Sequence, residues 1–345
     1  MTALVSVLIP AYNAQESIVD TIESALAQTW PRKEIVIVND GSTDRTLQIA
    51  QRFASKSVLV VTQENQGAAA TRNKAFSLCQ GDYIQWLDAD DLLSLDKIES
   101  QMERIGRECN DRSLLSCGWG YFVHRPRSAT FMPTALWCDL PPAEWLIRKM
   151  SQNLFMQTAT WLVSRELTEA AGPWNTRLLG DDDGEYFCRV MLASDGVRFV
   201  PEGKVFYRVS GSGRLSYIGR SSRKMEAQFE SMRLHIRYLL SIENSDRSRA
   251  ACVKYLQNWL IDFYPERLDI VAQAEQIAAD LGGRLKTPHL SWKYDWIRPL
   301  FGWDAAKRAQ VFSRQLKASV LRSWDKLLFQ VERRNARMTS MMMQR

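Results

Sequence analysis

A chain of 345 residues, 46% hydrophobic and 24% charged, is long enough for one large domain or two ordinary ones and can bury a sizeable core. Its six cysteines include no Cys-x-x-Cys pair, which argues against a structural zinc site and a disulfide framework and makes the reducing cytosol the expected compartment. No basic segment precedes the first strand pattern and no run reaches the ~18 apolar residues of a membrane span, so neither a signal peptide nor a transmembrane helix is expected; the formal charge of +6 is unevenly spread.

Val5-Ser6-Val7-Leu8-Ile9-Pro10 reads as a short buried strand ended by proline, with a turn over Ala11–Ala14. Ile18, Ile22, Ala25 and Leu26 set helical spacing within Ser17–Gln28. Glu34–Val38 is a second strand that ends at Asn39-Asp40-Gly41-Ser42, after which Thr43 or Asp44 caps a helix through about Phe53. A third strand at Val58–Val61, a helix at Gly67–Leu78 and a fourth strand at Tyr83–Leu87 complete the series. Uniformly apolar strands alternating with helices predict right-handed βαβ units in a parallel sheet covered on both faces. The first ~90 residues thus read as a nucleotide-binding half of a doubly wound sheet.

The fourth strand stops at Asp88, Asp90 and Asp91. Carboxylates at the carboxyl end of a parallel strand lie where open α/β sheets bind ligands, and their hard oxygens suit Mg2+ or Mn2+. Read alone, the same run could be a solvated turn with Asp90 or Asp91 capping the next helix. Neither Gly-x-Gly-x-x-Gly nor Gly-x-x-x-x-Gly-Lys-Ser/Thr is present, so phosphate recognition would fall to side chains, a metal and basic residues such as Arg72.

Beyond Asp91 the pattern changes. An amphipathic helix is expected at Leu95–Arg107, a longer strand at Leu114–Val123, an irregular stretch at Thr130–Pro142, a short helix at Glu144–Lys149 and a strand at Thr158–Val163. With no linker visible, these are expected to pack on the same sheet as one composite domain through about residue 215. Gly180-Asp181-Asp182-Asp183 then opens a helix; its acids either complement the helix dipole or supply a base at the mouth of a site.

Taken together, Val5–Asn13, Gln28-Thr29-Trp30 and Val38–Asp44 resemble the opening of family 2 glycosyltransferases of GT-A fold. Asn65-Gln66-Gly67 with Ala70-Thr71-Arg72-Asn73 is similar to that family's Asn-x-Gly and Ala-Arg-Asn segment, with Thr71 where alanine is usual. Leu87–Asp91 resembles its DxD motif, Gly180–Arg189 its later Glu-Asp and Arg segment with Asp182 in place of glutamate, and Tyr207-Arg208 its next marker. The resemblance covers about residues 4 to 215 and rests on five motifs in order. It implies transfer of a sugar, with inversion, from a nucleotide diphosphate donor that is usually UDP-linked, on a Rossmann-like, mostly parallel sheet with helices on both faces. By the same resemblance Pro10, Tyr12, Asp40, Arg72 and Asp88 would bind donor. Tyr12 would stack on or border the base, Asp40 would accept a hydrogen bond from it, Arg72 would hold base or phosphate, and Asp88 would face the ribose. Asp90 would bind the Mg2+ or Mn2+ that bridges the diphosphate, and Asp183 would be the general base. Asp91 keeps the role of helix cap, and Asp181 and Asp182 that of helix-start acids. One departure stands out: Val209-Ser210-Gly211 occupies the place where members often carry a histidine near the metal.

Residues 1–217 are therefore expected to form the transferase domain and 218–345 a helical extension. Helices are expected at Arg220–Leu240, Arg249–Phe263 and Ile270–Leu281. In the tail, Phe312, Leu316, Val320, Trp324, Leu327 and Val331 trace one face of a helix capped at Asp304, and from Arg284 onward basic residues outnumber acidic ones by 14 to 4. Such a face over 292–334 suits an anionic membrane surface on the inner side of the membrane, or packing on its own domain or a partner subunit, which leaves an oligomer open. No nucleic-acid motif accompanies the charge. The acceptor is expected to be a glycan or lipid-linked saccharide. Two other functions compete: a non-catalytic nucleotide-sugar-binding module, and a sugar nucleotidyltransferase, which would normally need a glycine-rich phosphate loop near the first strand.

Overall fold

The computed structural model describes residues 2–108, 110–209 and 221–343. Four strands, β1 (Val5–Ala11), β2 (Lys33–Asp40), β3 (Val58–Gln63) and β4 (Tyr83–Trp86), alternate with α1 (Ile18–Leu26), α2 (Thr46–Gln51) and α3 (Ala68–Leu78). They pair in parallel in the order β3-β2-β1-β4. Val5, Val7, Leu8 and Ile9 are wholly buried, as an apolar run covered on both faces requires. α1 turns Ile18, Ile22 and Ala25 onto the sheet. Gly41 follows β2 at φ 67°, and a Cβ there would lie 2.8 Å from the Asn65 amide nitrogen, so this tight turn demands glycine.

After β4 come β5 (Leu92–Leu93), α4 (Lys97–Glu108), β6 (Ser113–Phe122), β7 (Thr130–Phe131) and α5 (Pro142–Gln152). β8 (Val163–Ser164), α6 (Arg165–Ala171), α7 (Asp182–Ala193) and β9 (Gly196–Arg208) follow. β8 closes the first sheet antiparallel to β4. The others do not extend that sheet, as the sequence suggested. They form a second sheet in the order β5-β9-β6-β7, with β6 and β9 parallel and a bulge at Cys117/Gly118. The strand expected over Thr158–Val163 is instead a 3-10 turn at Thr158–Thr160 leading into the two-residue β8. The Gln157 side chain accepts from the Ala159 amide at 2.5 Å, while Gln85 and Gln101 donate to the Ala159 and Thr160 carbonyls at 2.8 and 3.0 Å. Side chains thus satisfy the backbone groups that a sheet ladder would otherwise claim.

The C-terminal part is helical: α8 (Ser222–Ile242), α9 (Asp246–Phe263), α10 (Leu268–Asp280), α11 (Trp292–Asp295) and α12 (Ile297–Met343). The boundary expected between 217 and 218 lies outside the described residues. α8 packs against α7, and α9 against α5. Met225, Phe229, Met232, Tyr255 and Leu256 join the same hydrophobic core as the central sheet. α12 bends at Gly302 (φ 81°, ψ 171°), where Trp303 packs edge-on against Tyr264 and Lys307 pairs with Glu266 at 2.6 Å. Among the described residues, no helix is long and apolar enough to cross a membrane.

Candidate functional site

The carboxyl ends of β1, β2 and β4 open into one cleft of about 1970 Å3, lined among others by Pro10, Tyr12, Asp40, Arg72, Asp88 and Asp90. Asp183, at the start of α7, faces the same space. Every donor, metal and catalytic residue that the sequence nominated is therefore on one cavity wall, at the place where strand ends present ligands in open α/β sheets.

Each side chain is held by a distinct device. Tyr12 stands in the turn after β1 with 52% of its surface exposed, which leaves its ring face free to stack. Asp40 is buried; its Oδ1 accepts from the Gln66 amide at 2.9 Å and Gln63 Nε2 at 2.8 Å, and its Oδ2 from the Gly67 amide at 2.9 Å. It thereby fixes the loop that enters α3, whose first glycine, Gly67, sits at φ 88°. That loop sets the position of Arg72 one turn further on.

Arg72 is the electrostatic centre. Its Nη2 donates to Asp88 Oδ1 at 2.7 Å and its Nη1 to Asp182 Oδ2 at 2.8 Å, with the guanidinium 4.4 Å above the Trp174 ring. Burial works against the cation, but Asp88 and Asp182 outweigh it and hold the guanidinium firmly protonated. The pair thus ties the end of β4 to the start of α7. Asp182 is the helix-start acid that its sequence position suggested, and it is also buried: burial raises its carboxyl to about 6 although Arg72 opposes the shift.

Asp91 also departs from expectation. It caps no helix; β5 follows it and α4 begins only at Lys97. Its carboxylate is fully buried, accepting from the Arg208 amide at 2.8 Å and from Gln157 Nε2 at 2.5 Å. Burial, then Asp90 and Asp88, push its pKa well above the usual range. Arg208 completes the clamp: its Nε donates to the Asp90 carbonyl at 2.8 Å, its Nη2 meets Asp20 at 3.0 Å, and its guanidinium lies over Phe122 at 4.6 Å. The Tyr207-Arg208 signature therefore shapes the turn that carries Asp88 and Asp90.

Asp183 accepts from Thr158 Oγ1 at 3.2 Å and from the Gly184 amide at 2.9 Å. Burial, followed by the nearby Asp181 charge, raises its pKa, while Arg72 pulls the other way. A carboxylate shifted upward is a better proton acceptor near neutral pH. Asp181 takes the left-handed conformation at φ 53°. Its Oδ2 accepts from Ser231 Oγ at 2.7 Å and Gln228 Nε2 at 3.2 Å, both on α8. Neither this brace nor the second partner of Arg72 carries a local sequence signal.

Asp88 and Asp90 offer only hard oxygen donors, the chemistry of Mg2+ or Mn2+ held jointly with substrate phosphates. Among the described residues no group of three or more His, Cys, Asp or Glu side chains forms an all-protein cage. An open, carboxylate-poor set fits a metal whose remaining ligands come from a diphosphate and water. Of the departure from the family pattern, Ser210 and Gly211 lie outside the described residues.

Residues 6–163 match the family model described as "Glycosyl transferase family 2". TuaG of Bacillus subtilis (strain 168), which carries the name of a putative teichuronic acid biosynthesis glycosyltransferase, is 39% identical over 143 residues, 37% of this chain and 55% of TuaG. The uncharacterized glycosyltransferase EpsJ of the same strain is 27% identical over 216 residues, 60% of this chain and 62% of EpsJ. The chain thus spans little more than half the length of these two curated relatives. Among solved structures, S. aureus TarS 1-349 in complex with UDP-GlcNAc superposes with a TM-score of 0.64 at 18% identity, covering 80% of this chain and 81% of that one. Mannosyltransferase PcManGT from Pyrobaculum calidifontis in complex with GDP-Man and Mn2+ gives 0.55 at 19% identity, covering 94% and 88%. At those identities the likeness is one of fold. Motif order, the shared cleft and the family match converge: residues 6–163 match glycosyl transferase family 2, on a GT-A fold.

Proposed function

We propose that this chain is an inverting glycosyltransferase that moves a sugar from a UDP-linked donor to a saccharide or lipid-linked saccharide acceptor. The observation that carries the reading is the meeting of Asp88, Asp90 and Asp183 in one cleft, with Arg72 bridging Asp88 to the residue beside Asp183. In this scheme the acceptor oxygen bonds to the anomeric carbon as the carbon–oxygen bond to the diphosphate breaks. The bonding pair leaves with the diphosphate, and the acceptor proton passes to Asp183. Asp88 would face the ribose and Tyr12 the base, and Asp90 would hold a divalent cation that offsets the charge of the leaving diphosphate. Aromatic side chains Tyr121, Phe155 and Trp259 on the same cleft offer flat apolar faces of the kind that sugar rings pack on. A UDP donor is supported by the fold shared with TarS 1-349, whose crystal structure is a complex with UDP-GlcNAc.

Calorimetric titration of UDP with Mn2+ tests the donor side. Wild-type protein should bind, and Asp90→Ala should lose about tenfold or more in affinity with Mn2+ while changing little in its absence, as loss of a metal-ligating carboxylate implies. Equal affinity with and without Mn2+ in both proteins would remove Asp90 from the metal.

The tail supports a further part of the proposal, peripheral contact with an anionic membrane. Leu316, Val320, Trp324, Leu327 and Val331 are each at least half exposed along one side of α12, in the strongly basic segment. Trp324→Glu/Leu327→Glu should abolish co-sedimentation with vesicles containing phosphatidylglycerol, whereas wild-type protein should pellet with them and stay free of pure phosphatidylcholine. Equal pelleting of the variant would assign the face elsewhere.

A further inference from the structure

α12 presents two opposite sides beyond residue 315. At ~100° per residue, Leu316, Val320, Trp324, Leu327 and Val331 fall on one side, and Arg322, Asp325, Lys326 and Phe329 on the other. The second side turns to the molecule. Arg322, Lys326 and Phe329 line the same cleft as Asp88 and Asp90.

The approach is fixed by a dedicated anchor. The Asp325 carboxylate accepts from the His124 amide and from Arg125 Nε, both at 2.8 Å. Arg125 also holds Glu332 at 2.9 Å, and the Phe329 ring stacks on His124 with an interplanar angle of 26°. His124 follows Val123 in the chain, and Val123 and the Asp90 carbonyl are both within reach of Arg208. α12 is therefore pinned beside the turn that carries Asp90.

Four other lysines and arginines line this cleft, Lys224 among them, and three are committed to groups on its walls. Arg72 serves Asp88 and Asp182, Arg208 serves Asp20 and the Asp90 carbonyl, and Lys149 is buried against the Tyr255 ring. Asp325 and Glu332 both pair with Arg125. Arg322 and Lys326 have no carboxylate partner among the described residues, yet they face a cavity that also holds acids. Unpaired guanidinium and ammonium groups on a cleft wall are what a phosphate-bearing ligand recruits.

We propose that Arg322 and Lys326 are a binding element for the donor's diphosphate, so that the C-terminal helix completes the pocket begun by the strand ends. The inference rests on the nucleotide-sugar reading above. It gives the departing diphosphate a counter-charge that comes from outside the matched family domain. Negative charge builds on the diphosphate as its bond to the sugar breaks, so positioned cations stabilise that change more than the ground state.

The experiment is calorimetric titration of the full chain with UDP, and separately with uridine, in Mn2+. Arg322→Ala/Lys326→Ala should bind UDP about tenfold or more weakly, the size a lost charge-assisted contact carries, with uridine affinity unchanged. Arg322→Lys/Lys326→Arg should keep most of the UDP affinity. Arg298→Ala/Lys317→Ala, which removes the same charge from outside the cleft, should match wild type. Asp325→Ala should weaken UDP and spare uridine by releasing the anchor. Unchanged UDP affinity in Arg322→Ala/Lys326→Ala overturns the proposal, as does an equal loss for uridine or an equal loss in Arg298→Ala/Lys317→Ala. A wild-type protein that binds neither UDP nor GDP fails the nucleotide-sugar reading itself, before any variant is compared.

Discussion

Asp183→Asn should cut the transfer rate by about 10²–10⁴-fold, the usual contribution of a positioned general base, while UDP affinity stays near wild type. The amide keeps the shape; its oxygen can still accept from the Gly184 amide while its NH2 donates to Thr158 Oγ1, but it cannot take a proton. The pH profile should carry a second mark. Burial and the Asp181 charge raise the Asp183 carboxyl. A base works only when ionised, so the rate should fall as pH drops through this raised value, above the ~4 of a free carboxyl. Stopped assays of sugar transfer and of donor hydrolysis across pH would record both. A variant that loses nucleotide binding instead would move Asp183 from the acceptor side to the donor side.

Removing Arg72 should have the largest effect on stability. Arg72→Met leaves Asp88 and the buried Asp182 without their cation, a change that costs about 3–5 kcal/mol when a buried pair is broken from one side. The deficit should depend on pH in a defined direction. Asp182 ionises at about 6 in the folded chain and at about 3.9 when unfolded, so the folded state binds the proton more tightly. Its contribution to stability is present at low pH and is lost as pH rises through about 6. Without Arg72 the folded value moves higher still. The gap between variant and wild type should therefore be widest above about pH 6 and shrink as the pH approaches about 4. Urea unfolding at several pH values measures this. Arg72→Lys should fall between the two, because one ammonium cannot span both carboxylates as the fork does. A methionine variant as stable as wild type would deny the bridge its structural role.

The parts of the molecule that could be read from sequence are those whose cause is local. β1 to β4 are covered on both faces, so each is an unbroken apolar run, and the helices between them show their spacing. Strand-end aspartates could be placed because a parallel sheet fixes where its ends point. What escaped depends on partners far along the chain. Asp182 could be read as a helix-start acid, which it is, but not as a partner of Arg72, which lies 110 residues earlier. Asp91 looked like a cap because Gln157 and Arg208, which bury it, lie 66 and 117 residues away. Thr158–Val163 has the composition of a strand, but glutamines from β4 and α4 had already claimed its carbonyls. The amphipathic pattern of the tail gave its apolar side correctly, with Leu316 and Trp324 exposed, and said nothing of what the opposite side would meet.

The hydrogen bonds from Ser231 and Gln228 to Asp181 bear on how such enzymes diversify. They bind the turn in front of Asp183 to α8, and both lie beyond the matched residues 6–163. A chimera that joins the chain through β9 to another relative's C-terminal helices would exchange those helices and, in the same cut, the support of the proposed proton acceptor. Graft points placed between β9 and α8 would part the two and give proteins that fold yet turn over slowly. Cuts that carry α8 along with α7 would keep the two together and let only the more distal helices vary.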